Sequence, residues 1–140
     1  MPGTRPETLK LLLCVPTGKA AFNIGGVTTN SAFDIFNQNH SYTNLSHDRR
    51  NTLLCNFIDL KLIIIDEISM VGISQFEQIN LRLQDIFGTT QAFGGVSVIC
   101  FGDFYQLRPV QDFFVFKSNT KISYGPLFEN HLWKISELLN

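Results

Sequence analysis

Hydrophobic residues fall along this chain in short, nearly unbroken runs at residues 9–15, 60–65 and 96–101, and between the runs apolar positions recur every three or four residues. Runs of strand length without polar alternation predict strands buried on both faces, as in a parallel sheet sealed by helices. A loop and a short helix are expected over residues 16–24, with Gly25 and Gly26 as the break, and residues 30–36 are expected to be helical again. Residues 37–47 are polar and read as a surface loop. Asp48 is placed to cap a helix whose apolar positions Leu53, Leu54, Phe57 and Ile58 share one face. Ser74 and Glu77 have capping-box spacing, ahead of a stripe of Phe76, Ile79, Leu83, Ile86 and Phe87 that Gly88 ends. Such a stripe belongs to a core rather than to a binding face.

Strands alternating with helices place the chain in the α/β class. Residues 1–8 read as a tail, residues 9–133 as one continuous unit, and residues 134–140 as the truncated start of a further element. With 140 residues there is material for one core, but not for both lobes of a two-domain motor. No stretch approaches the ~20 apolar residues of a membrane span. Lys10 and the turn at residues 16–19 interrupt what would otherwise look like a secretory leader, so a soluble, non-secreted protein is expected. Cys14, Cys55 and Cys100 sit singly among aliphatic neighbours, and the three histidines, His40, His47 and His131, are scattered. Neither a disulfide frame nor a zinc site is indicated, and the cysteines are expected as reduced core residues. A net charge of −1 excludes a broadly basic nucleic-acid coat but allows a local phosphate-binding groove.

Two of the apolar runs end in acids: Asp66 and Glu67 after one, and Gly102-Asp103-Phe104-Tyr105-Gln106-Leu107-Arg108-Pro109 after the other. In a parallel sheet the strand C-termini open onto one polar edge, which is where ligands bind. Nucleoside triphosphate chemistry needs an acid for Mg2+ and a second acid that orients and deprotonates water, and adjacent carboxylates at a strand end supply both. On that reading Asp66 serves the metal, Glu67 the water and Asp103 the metal's water shell, while the neutral amide of Gln106 meets a terminal phosphate oxygen. Solvated acids after a strand are the plain alternative for Asp66 and Glu67. A two-metal nuclease built on Asp66, Glu67 and Asp103 is another. Residues 16–21 (PTGKAA) are not a Walker A loop, because Leu13 and Ala20 stand where its first glycine and its hydroxyl should be. Thr17, Lys19 and nearby backbone amides can still meet a nucleic-acid phosphate.

Three segments together carry a resemblance: residues 16–26 (PTGKAAFNIGG), 63–71 (IIIDEISMV) and 93–110 (FGGVSVICFGDFYQLRPV). They resemble the Pif-one-like, Helitron-type superfamily-one DNA helicases over nearly the whole chain from Leu11 to Trp133. The resemblance implies a RecA-like P-loop NTPase domain, a parallel sheet with flanking helices, that couples ATP hydrolysis to 5′-to-3′ movement on single-stranded DNA or at a duplex junction. It implies Mg2+ as cofactor on Asp66, Glu67 as catalytic base and Gln106 as the γ-phosphate contact. Pro16, Thr17, Lys19 and Asn23 match the motif that grips the DNA backbone. Roles in DNA repair, recombination and telomere maintenance come with the family, as does a nuclear or mitochondrial location in a eukaryote and a cytoplasmic one otherwise.

The chain departs from the family pattern in places. The Walker A strand and loop would stand before Leu9, where only eight residues precede, so the fold is expected to be incomplete, with inner-strand groups left unpaired. A counterpart of the second motor domain is not expected within these residues, Arg108 stands where a proline is usual, and Asn30 where a histidine is usual. A gene fragment without ATP turnover of its own is the expectation, with an inactive remnant that binds DNA or a partner as the alternative.

Overall fold

The computed structural model describes residues 9–36, 42–103, 105 and 109. Four parallel strands form one sheet in the order β2-β1-β3-β4, with β1 at Leu11–Val15, β2 at Val27–Thr28, β3 at Leu62–Ile65 and β4 at Ser97–Cys100. Cys14 pairs with Ile65, and Ile65 with Cys100, so β1, β3 and β4 finish side by side. Helices connect them: α1 is Gly18–Ile24, α2 Thr29–Phe33, α3 His47–Phe57 and α4 Ile73–Phe87.

The core lies on one face of the sheet. Leu12, Cys14, Ile63, Ile65, Val98 and Cys100 alternate inward from the strands and meet Phe33, Leu53, Phe57, Phe76, Ile79, Leu83 and Ile86 from α2, α3 and α4. Full burial of one such aliphatic or aromatic side chain stabilises by ~1.5–3 kcal/mol. The other strand face also carries apolar residues, which is why the runs read as continuous. Among the described residues that face is less covered, with Leu13, Leu62, Ile64 and Ile99 partly buried and Leu11 exposed, although Val15 at the end of β1 is fully buried.

Several local expectations are corrected. The two-residue β2 carries no pattern of its own and was not anticipated; it forms because Gly25 turns left-handed (φ 65°) and returns the chain to the sheet. Ser46, not Asp48, caps α3, its Oγ accepting from the Arg49 amide at 3.4 Å, while Asp48 sits in the first turn. An acid there still complements the helix dipole. Ile58 follows the last turn of α3 and is exposed. The cap of α4 is Gly72, without a side-chain cap bond, so Ser74 and Glu77 lie inside the first turns. Cys14 and Cys100 are buried as expected, and burial pushes both thiols up to about 12, but Cys55 is exposed on α3. His47 opens α3, 3.2 Å from Asn51; His40, His131, the tail and residues 110–140 lie outside the described residues.

Arg82 was assigned no part by sequence pattern, yet it is 4% exposed at the centre of a polar knot. Its Nε donates to the Phe33 carbonyl (3.0 Å), Nη1 to the Thr43 carbonyl (2.9 Å) and the Tyr42 hydroxyl (3.2 Å), and Nη2 to the Asp34 carbonyl (3.1 Å). Tyr42 passes the bond on, donating to Asp85 Oδ2 at 2.9 Å. Burial, then the Asp85 bond, pushes its hydroxyl up to about 12.

Candidate functional site

Since all strands run the same way, the ends of β1, β3 and β4 open onto one edge, and the sequence decides what stands there. After β1, Thr17 takes an extended conformation and its Oγ1 accepts from the Ala20 amide at 3.3 Å, which starts α1. Pro16 is half-buried before it, and Lys19 and Asn23 lie exposed four residues apart on α1. After β3, the Asp66 amide donates to the Cys14 carbonyl (3.0 Å), which ties this tip to β1. The Asp66 Oδ1 accepts from the Glu67 amide at 2.7 Å.

Glu67 itself adopts the left-handed conformation (φ 55°, ψ 43°) ahead of a 3-10 turn over Ile68–Met70. A non-glycine residue there is strained by ~1–2 kcal/mol, and strain of this kind gathers at functional positions. Glutamate gives no sequence signal for such a backbone, so this feature could not have been found without coordinates. Both acids are half-buried, and among the described residues neither has a basic partner within ion-pair distance.

The β4 tip is laced to the β3 tip. Phe101 donates to the Ile65 carbonyl (2.8 Å) and accepts at its own carbonyl from the Ile68 amide (2.9 Å). Gly102 passes so close that a Cβ would stand 2.8 Å from the Ile68 nitrogen, which explains a glycine at this position. Asp103 follows, exposed, with Oδ1 accepting from the Tyr105 amide at 2.8 Å.

Asp66, Glu67, Asp103 and the residues at the start of α1 therefore share one edge, whereas Gln106 and Arg108 lie outside the described residues. Two oxygen-donor acids on adjoining residues fit Mg2+, which takes one or two carboxylates and completes its shell with phosphate and water. Among the described residues no group of three or more Asp, Glu, His or Cys side chains could hold a metal, so the nuclease reading lacks its three-acid site. Asn30 accepts from Gln75 Nε2 at 2.6 Å, beside the bond from the same nitrogen to Thr29 Oγ1 at 2.8 Å. A cleft of about 460 Å³ opens elsewhere, between Asp34, Leu45, Arg49, Gln78 and Arg82, and none of the sequence-nominated residues lines it.

Acids thus follow adjacent tips of a parallel sheet, beside the turn that opens α1. A family model described as PIF1-like helicase matches residues 4–140, and the chain belongs to that family. Among curated relatives, the ATP-dependent DNA helicase Pif1 of Campylobacter jejuni is 40% identical over 98 residues, 65% of this chain and 21% of that protein. The Danio rerio ATP-dependent DNA helicase PIF1 is 37% identical over 95 residues, 67% of this chain and 15% of its own length. The chain thus spans about a fifth or less of either relative. A Bacteroides Pif1 helicase solved with ADP-AlF3 and single-stranded DNA superposes with a TM-score of 0.63 at 33% identity, over 79% of this chain and 29% of that one. The Pif1 helicase of Candida albicans gives 0.65 at 28% identity, over 90% and 27%. The fold is accordingly the parallel α/β sheet of the RecA-like helicases, in part.

Proposed function

We propose that this chain supplies part of the first motor domain of an ATP-dependent DNA helicase that moves 5′ to 3′ on single-stranded DNA. One observation supports the reading: β1, β3 and β4 end in register, so the turn that opens α1 and the acids Asp66 and Glu67 follow neighbouring strand ends. Asp66 holds Mg2+ and Glu67 takes the proton of the attacking water. Bound Mg2+ supplies charge neutralisation on the phosphate oxygens. Asp103 orders the water shell and Gln106 contacts the γ-phosphate. Pro16, Thr17, Lys19 and Asn23 hold the DNA backbone, so that nucleotide and DNA meet across the tips of adjacent strands. Substrates are ATP and single-stranded DNA or a duplex junction, in repair, recombination and telomere maintenance. The setting is the nucleus or mitochondrion of a eukaryote, or the cytoplasm of a bacterium.

Fluorescence anisotropy of labelled single-stranded DNA, with and without MgATP, tests the DNA half. Binding is expected to weaken with salt and to drop in Lys19→Ala; no binding, or binding indifferent to Lys19→Ala, defeats it. Because residues 16–21 are not a phosphate cradle, this chain by itself is expected to turn over no ATP. DNA-stimulated turnover above a Glu67→Gln control would overturn that expectation.

A further inference from the structure

We infer that Phe22 is a stacking platform for a nucleic-acid base, set on α1 so that Lys19 meets the adjoining phosphate; this rests on the DNA-binding reading of that helix. A lone exposed apolar residue needs no explanation. Phe22 differs by its company. It is 88% exposed on a seven-residue helix whose single buried residue is Ala21. Phe33, Phe57, Phe76 and Phe93, by contrast, are buried in the core.

Lys19 and Phe22 stand three residues apart, and Gly18 and Phe22 four, so on a helix all three lie on one strip. Phe22 therefore shares a strip with Gly18 and Lys19 while its ring stands in solvent, clear of Gly18. At Gly18 an added Cβ would meet nothing within 4 Å, so the backbone there is bare and the space above it open. A flat ring, open room over a bare turn and an exposed ammonium one turn back match a nucleotide unit, with the base on the ring and the phosphate on Lys19. Every base has a π-face, so such a contact is tolerant of sequence, as a translocating motor requires.

The test compares the 140-residue chain with Phe22→Ala, Phe22→Leu and Phe22→Trp, using labelled oligothymidylate of about ten nucleotides and an abasic oligonucleotide of equal length. Phe22→Ala and Phe22→Leu are expected to bind oligothymidylate roughly 5- to 100-fold more weakly. Phe22→Trp should keep or improve the parent affinity, and the abasic oligonucleotide should not distinguish the four proteins. The inference is overturned if Phe22→Leu binds like the parent, if Phe22→Ala loses affinity equally for both oligonucleotides, or if it loses none. In each of those cases a salt-sensitive parent complex leaves the DNA-binding reading standing. A parent chain that binds neither oligonucleotide overturns both.

Discussion

Replacing Gly102 with alanine tests whether the two acidic strand tips are laced as tightly as the structure has them. A Cβ at Gly102 stands 2.8 Å from the Ile68 nitrogen and 3.0 Å from Ile68 Cγ2, where ordinary contacts begin near 3.4 Å. The nearer atom is backbone, and that nitrogen already donates to the Phe101 carbonyl at 2.9 Å. Relief thus requires the tips to part by about 0.6 Å, since no side-chain rotation can supply it. Overpacking of this kind costs ~1–3 kcal/mol. For a chain of 140 residues each kcal/mol lowers Tm by roughly 3–5 °C, so Gly102→Ala is expected to melt about 3–15 °C below the parent by circular dichroism. Gly18→Ala is the control: its Cβ meets nothing within 4 Å, and alanine is the better helix former. It should melt at or slightly above the parent temperature. If the two variants melt together, the close approach of Glu67, Ile68 and Gly102 is wrong.

Other expectations follow from the same contacts. Glu67→Gly removes the left-handed strain and should raise stability by roughly 0.5–1 kcal/mol in urea melts; a loss of stability counts against the strain. Arg82→Met strips the partner from three carbonyls and the Tyr42 hydroxyl and should destabilise by at least ~3 kcal/mol; a change below ~1 kcal/mol would show those groups are hydrated instead. The thiols of Cys14 and Cys100, at about 12 when folded against 9.0 unfolded, hold their protons more tightly in the native state. Their contribution is fully present below pH 9 and is lost as pH rises toward 12, so stability should fall across that window, and a flat profile would contradict their burial. At neutral pH a thiol reagent should modify Cys55 in the native chain and reach the other two only after denaturant is added.

The α/β class, the three main strands and the acids at their tips were readable because long apolar runs and strand-end carboxylates are local patterns. The face chosen for burial was not, since a run that is apolar throughout looks the same whichever side the described helices cover. Ser46 outcompeted Asp48 as the α3 cap through a difference of two residues, a margin that capping preferences do not resolve. The left-handed Glu67 and the buried Arg82 were hidden for another reason. Their roles depend on backbone carbonyls and turns contributed by distant parts of the chain, and no spacing in sequence encodes those meetings. At the candidate site, Asp66 and Glu67 follow β3 and Asp103 follows β4, strand-end positions that the apolar runs mark locally, while Gln106 lies outside the described residues.

Arg82 binds Phe33 and Asp34 on one side of residues 37–41, and Tyr42 and Thr43 on the other. Both flanks of the segment between them are thereby held by one side chain of α4. Lengthening it would cost only closure entropy, ~0.6 kcal/mol for each doubling. The scaffold thus offers a socket in which cassettes of different reach can be exchanged while the strand tips stay put.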